Sequence, residues 1–412
     1  MKVYPRLELD ITFKDLSFSL LSRFLFVDRK TIIASIQSYW HTSKEILVSL
    51  CVRTSFDLLL QSLKLPAGSE IMMSAVNITH MEEIVKQHDC IPLSIDIDLP
   101  TLAPSVELLE RSISPQSRIL VIAHLFGSIV DLAPYVDLCK SNNILLVEDC
   151  AQAFDGWRYL GHPDADLSLF SFGPIKSCTA LGGAVTLVRD KDLAQKMQNI
   201  ESHYPLKSEL WFANRTLKYL CLKFLSIPQI FGILLACLKC LNIDLDSSIG
   251  SLTRGFSSGD IQSQLRYRPP TGMLRLLQRR FEYLDLSRFD RRQQAARNFL
   301  NLLDRSNLHP GNKATQHSYW VVPIMTENPQ LLMHRLRASG FDPTMGATSL
   351  KPIGSGTSQA ERLINSVLYL PISPALPATE IYRLARSISV AENGKIENAS
   401  TDSACDEIDR LI

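Results

Sequence analysis

The sequence lacks an excess of charge of either sign. Its 412 residues contain 43 lysines and arginines and 42 aspartates and glutamates, which gives a formal net charge of +1. A protein that holds nucleic acid through a broad positive field needs a surplus of basic residues. The composition gives no support for such a protein, so we expect no nucleic-acid partner.

Long apolar runs and a dense set of cysteines are also missing. No stretch supplies the roughly 18 consecutive apolar residues that a membrane-spanning helix needs. The N-terminus carries charges and no apolar core, so we expect no signal peptide. Nine cysteines are too few for a disulfide framework in a chain long enough to bury a core without one. We therefore predict reduced thiols and a cytoplasmic protein, with membrane association left open by one segment described below.

Short apolar runs alternate with helical patterns between residues 44 and 200. Four runs are rich in Ile, Leu and Val and are bounded by turn residues, which predicts buried strands: SEIMMSA, CIPLSID, SRILVIAHL and NILLVED. Helical stretches between them indicate βαβ units and a mostly parallel sheet. Ligands of such sheets bind at the carboxyl ends of the strands, so functional residues are expected in the loops that follow them.

The second half of the chain has a different pattern. One long charged helix is predicted from about residue 271 to 303, followed by short strands and helices of an α+β unit. The last residues are polar and have little to bury. We predict an N-terminal arm with helices (1–43), a large α/β domain (44–265) with an apolar insertion at about 205–250, a small α+β domain (266–392) and a disordered tail (393–412).

A carboxylate and a lysine stand out in the large domain. Asp149 ends the strand NILLVED, and Lys176 lies 27 residues later between FSFGPI and ALGGAV. Singly, such residues are usually a turn former and a solvated charge. Apolar neighbours favour burial of the lysine, which lowers its pKa and makes it an amine nucleophile. An amine with a nearby carboxylate suits pyridoxal-phosphate chemistry, and the hydroxyl of Ser171 could hold the phosphate.

These residues also carry a family resemblance. The runs EDCAQAFDG, FSFGPIK and LGGA resemble the signature of the DegT/StrS group of pyridoxal-phosphate-dependent aminotransferases, and HLFGSIVDL and AGSEIMMSAVNITHMEEIV resemble further parts of it. The resemblance extends from about residue 44 to 390 and is specific at 148–184. It implies an aspartate-aminotransferase-like α/β fold (fold type I), with a mostly parallel large domain, a smaller α+β C-terminal domain, and a homodimer with shared active sites.

The resemblance implies an activity and roles for single residues. Members transfer an amino group, often from L-glutamate, to a keto-sugar that is usually nucleotide-linked, in polysaccharide or secondary-metabolite biosynthesis. Lys176 would bind the cofactor covalently and shuttle the proton, and Asp149 would pair with the pyridine nitrogen. Gln152 would reach the 3-hydroxyl, and Ser171 would bind the phosphate. A lysine rather than a histidine at 176 favours transamination over dehydration. No metal is expected.

Several positions depart from the family pattern. The phosphate-binding helix start reads VRTSFDLL, where Thr54 and Ser55 offer hydroxyls but the usual glycine is missing. Ile78 replaces an aromatic residue that stacks on the cofactor ring. Arg266 is either a second phosphate contact or a surface charge. The resemblance also makes two residues of the strand HSYWVVP candidate substrate contacts: His317 and Tyr319.

An apolar insertion leaves two interpretations open. The longest charge-free stretch, 224–238, has 15 residues and contains a proline, so it is too short and too broken to span a bilayer. Flanking lysines suit a helical segment at 217–243 that lies on a membrane surface; the alternative is a helical pair buried against the body or at a dimer interface. Cys237 and Cys240 form a lone CxxC, which is weak evidence for zinc, and they are expected to be buried.

Two further hypotheses follow from these departures. If the insertion contacts membrane, the acceptor is a membrane- or lipid-associated carbonyl compound. If the altered phosphate site no longer supports catalysis, the chain is a non-catalytic relative that binds cofactor or sugar as a sensor or scaffold.

Overall fold

The computed structural model describes residues 2–6, 8–22, 27–240, 260–303, 309–346 and 349–393. A disordered tail was predicted for 393–412. Except for residue 393, this segment lies outside the described residues.

A seven-stranded sheet forms the centre of the molecule, with the strand order β1-β9-β8-β7-β5-β2-β4. The pairings of β4, β2, β5, β7 and β8 are parallel, and those of β9 with β8 and β1 are antiparallel. This confirms the predicted α/β class with a mostly parallel sheet. The strands are β1 (Glu45–Ser49), β2 (Glu70–Ser74), β3 (Val76–Ile78), β4 (Ile91–Ile95), β5 (Ser117–Ala123), β6 (Ser128–Ile129), β7 (Leu145–Asp149), β8 (Leu167–Ser171), β9 (Ala184–Val188), β10 (Gln316–His317), β11 (Val322–Met325), β12 (Leu350–Pro352) and β13 (Val367–Leu370).

Helices cover the sheet because their apolar faces have to be buried. Several begin at a side-chain cap; Asp190 and Ser208, for example, accept the backbone N–H three residues later. The helices are α1 (Phe13–Ser22), α2 (Arg29–Ser38), α3 (Val52–Leu63), α4 (Thr79–Gln87), α5 (Val106–Ser112), α6 (Ala133–Asn142), α7 (Lys191–Ser202), α8 (Glu209–Leu225), α9 (Pro228–Cys240), α10 (Gln262–Leu265), α11 (Thr271–Glu282), α12 (Leu286–Leu302), α13 (Pro329–Ala338), α14 (Ser358–Ser366) and α15 (Ala378–Asn393).

The long charged helix predicted after residue 271 is two helices, so that prediction was wrong. α11 ends at Glu282, and α12 begins at Leu286 after a short break. α11 packs in the core beside the large sheet, and α12 reaches from that core, through Phe289, to the core of the C-terminal unit. Phe281 on α11 packs 5.0 Å from the rings of Trp157 and Phe172 beside the large sheet, whereas Phe299 on α12 lies in the core of the C-terminal unit.

The C-terminal unit is a small α+β layer, as expected. β11 and β13 pair antiparallel and pack against α12, α13 and α15 through one buried apolar cluster. Two short antiparallel pairings join this unit to the large domain, β10 with β6 and β12 with β3. They bring residues 316–320 to the loops that follow β5 and β7, where the candidate site lies.

The apolar insertion forms α8 and α9, which meet at an angle of 91°. Within the described ranges no single helix is long and apolar enough to cross a membrane; the bent pair Glu209–Leu225 with Pro228–Leu238 satisfies length and composition only when taken together. Cys237 and Cys240 are exposed. The expectation that both are buried was wrong, because they lie on the outward face of α9.

Candidate active site

Lys176 lies in a tight turn that follows β8. Its backbone N–H donates to the carbonyl oxygen of Gly173 at 3.0 Å. Its Nζ lies 3.9 Å from the centre of the Trp320 ring, a cation–π distance. The indole Nε1 of Trp320 donates to the carbonyl oxygen of Ile175 at 2.8 Å. One side chain from the C-terminal unit therefore covers the amine and also holds the backbone next to it.

The surroundings of Lys176 lower the pKa of its amine, so a larger fraction of the amine is uncharged at physiological pH. Burial lowers the pKa of Lys176 to about 8, the Asp149 carboxylate opposes that shift, and the Arg53 guanidinium adds to it. An amine with a pKa near neutrality is available as a nucleophile or a base at physiological pH. The sequence argument for a partly desolvated lysine thus agrees with the geometry.

Asp149 is the last residue of β7, between β5 and β8. It pairs with Ala123 on one side and Leu169 on the other, and its Oδ1 accepts the N–H of Ala151 at 2.9 Å. Burial raises the pKa of Asp149, while that N–H and the charge of Lys176 act in the opposite direction. The carboxylate is thus held at the carboxyl edge of the sheet, where it acts electrostatically on the lysine.

The neighbouring Glu148 points to the other face of the sheet and fixes the strand end. It accepts hydrogen bonds from the His124 ring at 2.7 Å, from the His162 N–H at 2.9 Å and from the Ser168 hydroxyl at 2.8 Å, and also from the hydroxyl of Tyr159. Although burial alone would raise it, these donors lower the pKa of Glu148 to about 2. Such a satisfied network rigidifies the strand that carries Asp149. His124 therefore has a structural role here.

Gln152 lies in the turn after β7 and is tied to two loops. Its Oε1 accepts the N–H of Phe126 at 2.8 Å, and its carbonyl oxygen accepts the Ser318 hydroxyl at 3.2 Å. Gly127 has φ +91°, and a Cβ there would lie 2.1 Å from Ser318 Oγ, so this close approach requires glycine. Because the amide oxygen of Gln152 is engaged, its NH₂ group is the part that can donate to a ligand.

The helix start predicted to bind phosphate begins at Val52, so Thr54 and Ser55 fall on its buried side. The Thr54 hydroxyl donates to the carbonyl oxygen of Leu265 at 2.9 Å. The Ser55 hydroxyl contacts Ser49 at 2.7 Å and Thr186 at 2.8 Å. The structure does not bring these hydroxyls into the group around Lys176. A contribution of this helix to phosphate binding would come from its first N–H groups and from Arg53.

Arg53 was not singled out by the sequence analysis. It lies in the first turn of α3 and contacts His80 Nδ1 at 3.0 Å. Arg215 on α8 donates to the carbonyl oxygen of Leu181, in the loop after Lys176, at 2.6 Å. Burial lowers the pKa of Arg215, and the charge of Arg53 adds to that shift. Two guanidinium groups therefore lie on the side of the site where an anion is expected. An arginine inside a degenerate motif gives no signal that distinguishes it from a surface charge.

Of the remaining predicted cofactor contacts, Ser171 and Ile78 lie at strand ends, whereas Arg266 is engaged in an ion pair. Ser171 ends β8 beside Lys176, where its Oγ accepts the N–H of Gly173 at 3.4 Å, and Ile78 ends β3 opposite Leu350. Arg266 instead forms a bidentate ion pair with the buried Asp57, at 3.0 and 3.1 Å. Neither of the two interpretations of Arg266 included this contact.

His317 and Tyr319, the predicted substrate contacts, stack on each other with ring centres 4.1 Å apart. The N–H of Tyr319 donates to His317 Nδ1 at 2.8 Å, so the neutral imidazole carries its proton on Nε2. That Nε2 is buried without a hydrogen-bond partner among the described residues. Burial and the nearby His309 lower the pKa of His317 well below its usual value. The ring is therefore a neutral donor.

The lysine, the aspartate and the glutamine lie in a part of the chain that matches a known family. The model of the DegT/DnrJ/EryC1/StrS aminotransferase family matches residues 34–212. This confirms the resemblance drawn from the motifs, because Asp149, Gln152 and Lys176 all lie within the matched range.

Curated aminotransferases and sugar-modifying enzymes also match part of the chain. GDP-perosamine synthase from Escherichia coli O157:H7 is 31% identical over 139 residues, which is 33% of this chain and 38% of that enzyme. UDP-4-amino-4-deoxy-L-arabinose--oxoglutarate aminotransferase from Shewanella sediminis (strain HAW-EB3) is 28% identical over 166 residues, 40% of this chain and 42% of the relative. The match thus spans about two fifths of the length of these relatives.

Solved structures extend the likeness to the whole fold. Helicobacter pylori PseC, an aminotransferase involved in the biosynthesis of pseudoaminic acid, superposes with a TM-score of 0.69 at 15% identity, over 96% of this chain and 100% of that chain. DesV from S. venezuelae, solved in complex with a ketimine intermediate, gives a TM-score of 0.68 at 17% identity, over 96% and 100%. The chain has the fold of these aminotransferases, which confirms the predicted fold type I architecture.

Proposed function

We propose that this protein is a pyridoxal-phosphate-dependent aminotransferase that transfers an amino group from L-glutamate to a nucleotide-linked keto-sugar. The relatives named above support the substrate class. The observation that carries the proposal is the pair of Lys176 and Asp149. The lysine has a pKa lowered to about 8, and the carboxylate is held on the adjacent strand and acts on it electrostatically.

The donor set fits pyridoxal phosphate. The cofactor needs an amine for its aldehyde, an anion for its ring nitrogen and cations or N–H groups for its phosphate. Lys176, Asp149, and Arg53 at the first turn of α3 supply these three. Gln152 would donate its NH₂ group to the 3-hydroxyl, Ser171 would add a hydroxyl near the phosphate, and Ile78 would cover the ring face without π overlap. When bound, the cofactor supplies a ring that accepts electrons from the reacting carbon.

The residues of the chain would divide the work as follows. Lys176 Nζ would hold the cofactor through its aldehyde and, when free, would carry a proton between the substrate carbon and the cofactor. Asp149 would remain ionised and would keep the ring nitrogen of the cofactor protonated. Trp320 covers Nζ and limits access of water. Glu148 holds the strand end so that Asp149 does not move when charge develops.

Two further properties belong to the same proposal. We propose a cytoplasmic homodimer in which both subunits contribute to each site. In that assembly Arg266, or the adjacent Arg268, would meet the phosphate of the neighbouring subunit's cofactor, a role that needs the ion pair of Arg266 with Asp57 to open. Light scattering of the holoprotein tests whether it is a dimer. The cofactor affinities of Arg266→Met and Arg268→Met test whether either arginine contributes to the phosphate site.

An absorbance spectrum of the purified protein, recorded with pyridoxal phosphate and then with L-glutamate, tests the activity. We expect a visible band that glutamate shifts to the near ultraviolet, and no such lysine-dependent band in Lys176→Ala. The matched control is Lys140→Ala, which removes an exposed lysine paired with Asp164 on the surface. A visible band that glutamate leaves unchanged, together with tight cofactor binding, would favour the sensor or scaffold hypothesis instead.

The exposed apolar stripe on α8 favours a second candidate, an aminotransferase for a membrane- or lipid-associated carbonyl compound. Leu210, Leu217 and Phe224 are 64%, 52% and 53% exposed, and Ile233 on α9 is 63% exposed. The first three recur at helical spacing on one face. The sequence from 210 to 240 contains no carboxylate, and it includes Lys218 and Lys239. Such a face suits an anionic lipid surface, and Arg215 on the same helix contacts the loop beside Lys176.

Vesicle flotation separates the two candidates. We compare the parent protein with the double variant Leu217→Asp/Phe224→Asp on vesicles of phosphatidylglycerol and phosphatidylcholine. Leu108→Asp/Leu331→Asp is the matched control, because it changes two apolar residues that are exposed elsewhere. Binding that only the α8 variant loses supports the lipid-associated substrate. A parent protein that stays entirely in the vesicle-free fraction at low salt counts against it.

A further inference from the structure

We propose that Asp10 and Arg292 act together as positioning residues for Lys176, by holding the two residues that follow it; this inference rests on the proposed function. Asp10 comes from the N-terminal arm, and Arg292 comes from α12. Neither touches the reacting groups. Arg292 binds the side chain of Ser177, and Asp10 binds the backbone N–H of Cys178; these two residues directly follow the lysine in the chain.

Four buried contacts make this clamp. Arg292 Nη1 donates to the Ser177 hydroxyl at 2.7 Å, and Arg292 Nη2 lies 3.3 Å from Asp10 Oδ2. The same Oδ2 accepts the N–H of Cys178 at 3.0 Å. The thiol of Cys178 contacts the carbonyl oxygen of Arg280 at 3.5 Å. Asp10 and Arg292 are each 7% exposed, so these bonds form away from water.

The chain needs such a clamp because of its conformation after the lysine. Cys178 has φ +54° and Leu181 has φ +60°. Residues other than glycine adopt this left-handed region at a cost, which has to be offset by surrounding contacts. The bond from Cys178 N–H to Asp10 supplies one of these contacts. On the other side of the lysine, Trp320 holds Ile175. Lys176 is therefore fixed through the residue before it and the two residues after it.

The charges around Asp10 keep it in the form that the clamp needs. Burial alone would raise the pKa of Asp10, but three guanidinium groups, those of Arg288, Arg292 and Arg280, lower it below its usual range. The ionised carboxylate accepts from Cys178 and Arg292 at the same oxygen, and its other oxygen faces Arg280 and Arg288. The N-terminal arm, α11 and α12 thus converge on the loop of the reactive lysine.

Three variants and one control test the inference. Ser177→Ala removes only the hydroxyl that Arg292 binds and leaves every charge in place. Asp10→Asn weakens the contacts of residue 10 with the Cys178 N–H and with Arg292. Ser177→Thr restores a hydroxyl at residue 177. Asp15→Asn is the control, because Asp15 pairs with Arg279 and Arg280 in the same acid–arginine network. None of its hydrogen bonds is with residues 176–178.

The first readout does not depend on turnover. Cofactor-free protein is pulsed with acetic anhydride across a pH series, and acetylation of Lys176 is followed by peptide mass spectrometry. The parent midpoint is expected near pH 8. In Ser177→Ala and Asp10→Asn a looser, better hydrated amine moves the midpoint upward, toward the ordinary lysine value of about 10.4. The second readout, the rate at which pyridoxal phosphate produces the visible band, is expected to fall roughly 10- to 100-fold. Ser177→Thr recovers both.

A purely structural role predicts a different pattern. Equal midpoints and equal band rates in Ser177→Ala, Asp15→Asn and the parent would overturn the inference, even if Asp10→Asn failed to fold. A parent that labels near pH 8 but never forms a visible band would contradict the proposed function instead. In that case the labelling comparison alone decides whether Asp10 and Arg292 position the lysine.

Discussion

The indole of Trp320 makes two contacts with the segment of Lys176: its ring lies 3.9 Å from Nζ, and its Nε1 donates to the carbonyl oxygen of Ile175 at 2.8 Å. The residue belongs to the C-terminal unit, whereas the lysine belongs to the large domain. Packing of the two units is therefore coupled to the position of the amine.

Trp320→Phe keeps the aromatic ring and removes the N–H donor. We expect a loss of about 1 kcal/mol in the free energy of unfolding, the usual net value of one hydrogen bond, and a slower appearance of the visible band on adding pyridoxal phosphate. Denaturant unfolding and stopped-flow absorbance measure these effects. Trp211→Phe, which replaces a tryptophan on α8, is the control. An unchanged band rate in Trp320→Phe would show that the indole does not orient the lysine.

Asp149→Asn and Arg53→Met are expected to shift the pKa of Lys176 in opposite directions. The carboxylate favours the charged amine and the guanidinium disfavours it. Removing Asp149 therefore lowers the pKa of Lys176 below about 8, and removing Arg53 raises it. The pH dependence of acetylation at Lys176 gives both values. Shifts of the same sign in the two variants would contradict this account of the electrostatics.

Lys176→Met is expected to stabilise the cofactor-free protein at neutral pH. The folded-state pKa of Lys176, about 8, is below its reference value of 10.5. The unfolded state therefore holds its proton more tightly, and the charged lysine costs stability at every pH below about 8. The cost, on the order of 1–3 kcal/mol, disappears as the pH rises through 10.5. Urea unfolding at a series of pH values follows the difference between variant and parent, and a difference that did not shrink with rising pH would refute the prediction.

Glu148→Gln is expected to destabilise the protein, because an amide NH₂ would face hydrogen-bond donors that now point at a carboxylate. We expect a loss of about 2–3 kcal/mol at neutral pH. The folded-state pKa of Glu148 is lowered from 4.5 to about 2. The stability that its charge contributes is therefore present above pH 4.5 and is lost as the pH falls toward 2. The gap to the parent should narrow in acid, as measured by urea unfolding. Glu107→Gln, at an exposed glutamate, is the control and should show no gap.

Some elements of the fold could be predicted from the sequence and others could not. The strand that ends at Asp149 was predictable, because it is a short apolar run followed by a turn. The break between α11 and α12 was not predictable, because the helical pattern of the sequence continues across it. The exposure of Cys237 and Cys240 was also missed, since composition alone does not show which face of an apolar helix is covered.

Some residues of the candidate site could also be predicted from the sequence, and others could not. Lys176, Asp149 and Gln152 lie in one motif-rich segment, so their types and spacing already indicated the chemistry. Arg53, Trp320 and Arg292 are far from that segment in the chain. The hydroxyls of Thr54 and Ser55 matched the expected residue types, yet the start of α3 at Val52 directs them into the core.

The sequence by itself determined the fold class, the match of residues 34–212 to the DegT/DnrJ/EryC1/StrS family model and the choice of Lys176 and Asp149 as candidate residues, because these depend on local runs of residues that keep their meaning in any context. The tertiary structure decided which further side chains surround the lysine. Ion pairs and hydrogen bonds such as Asp10 with Arg292 join residues that are 282 positions apart. Only the packing of the whole chain brings such residues together, since nothing in the local sequence of either residue specifies its partner.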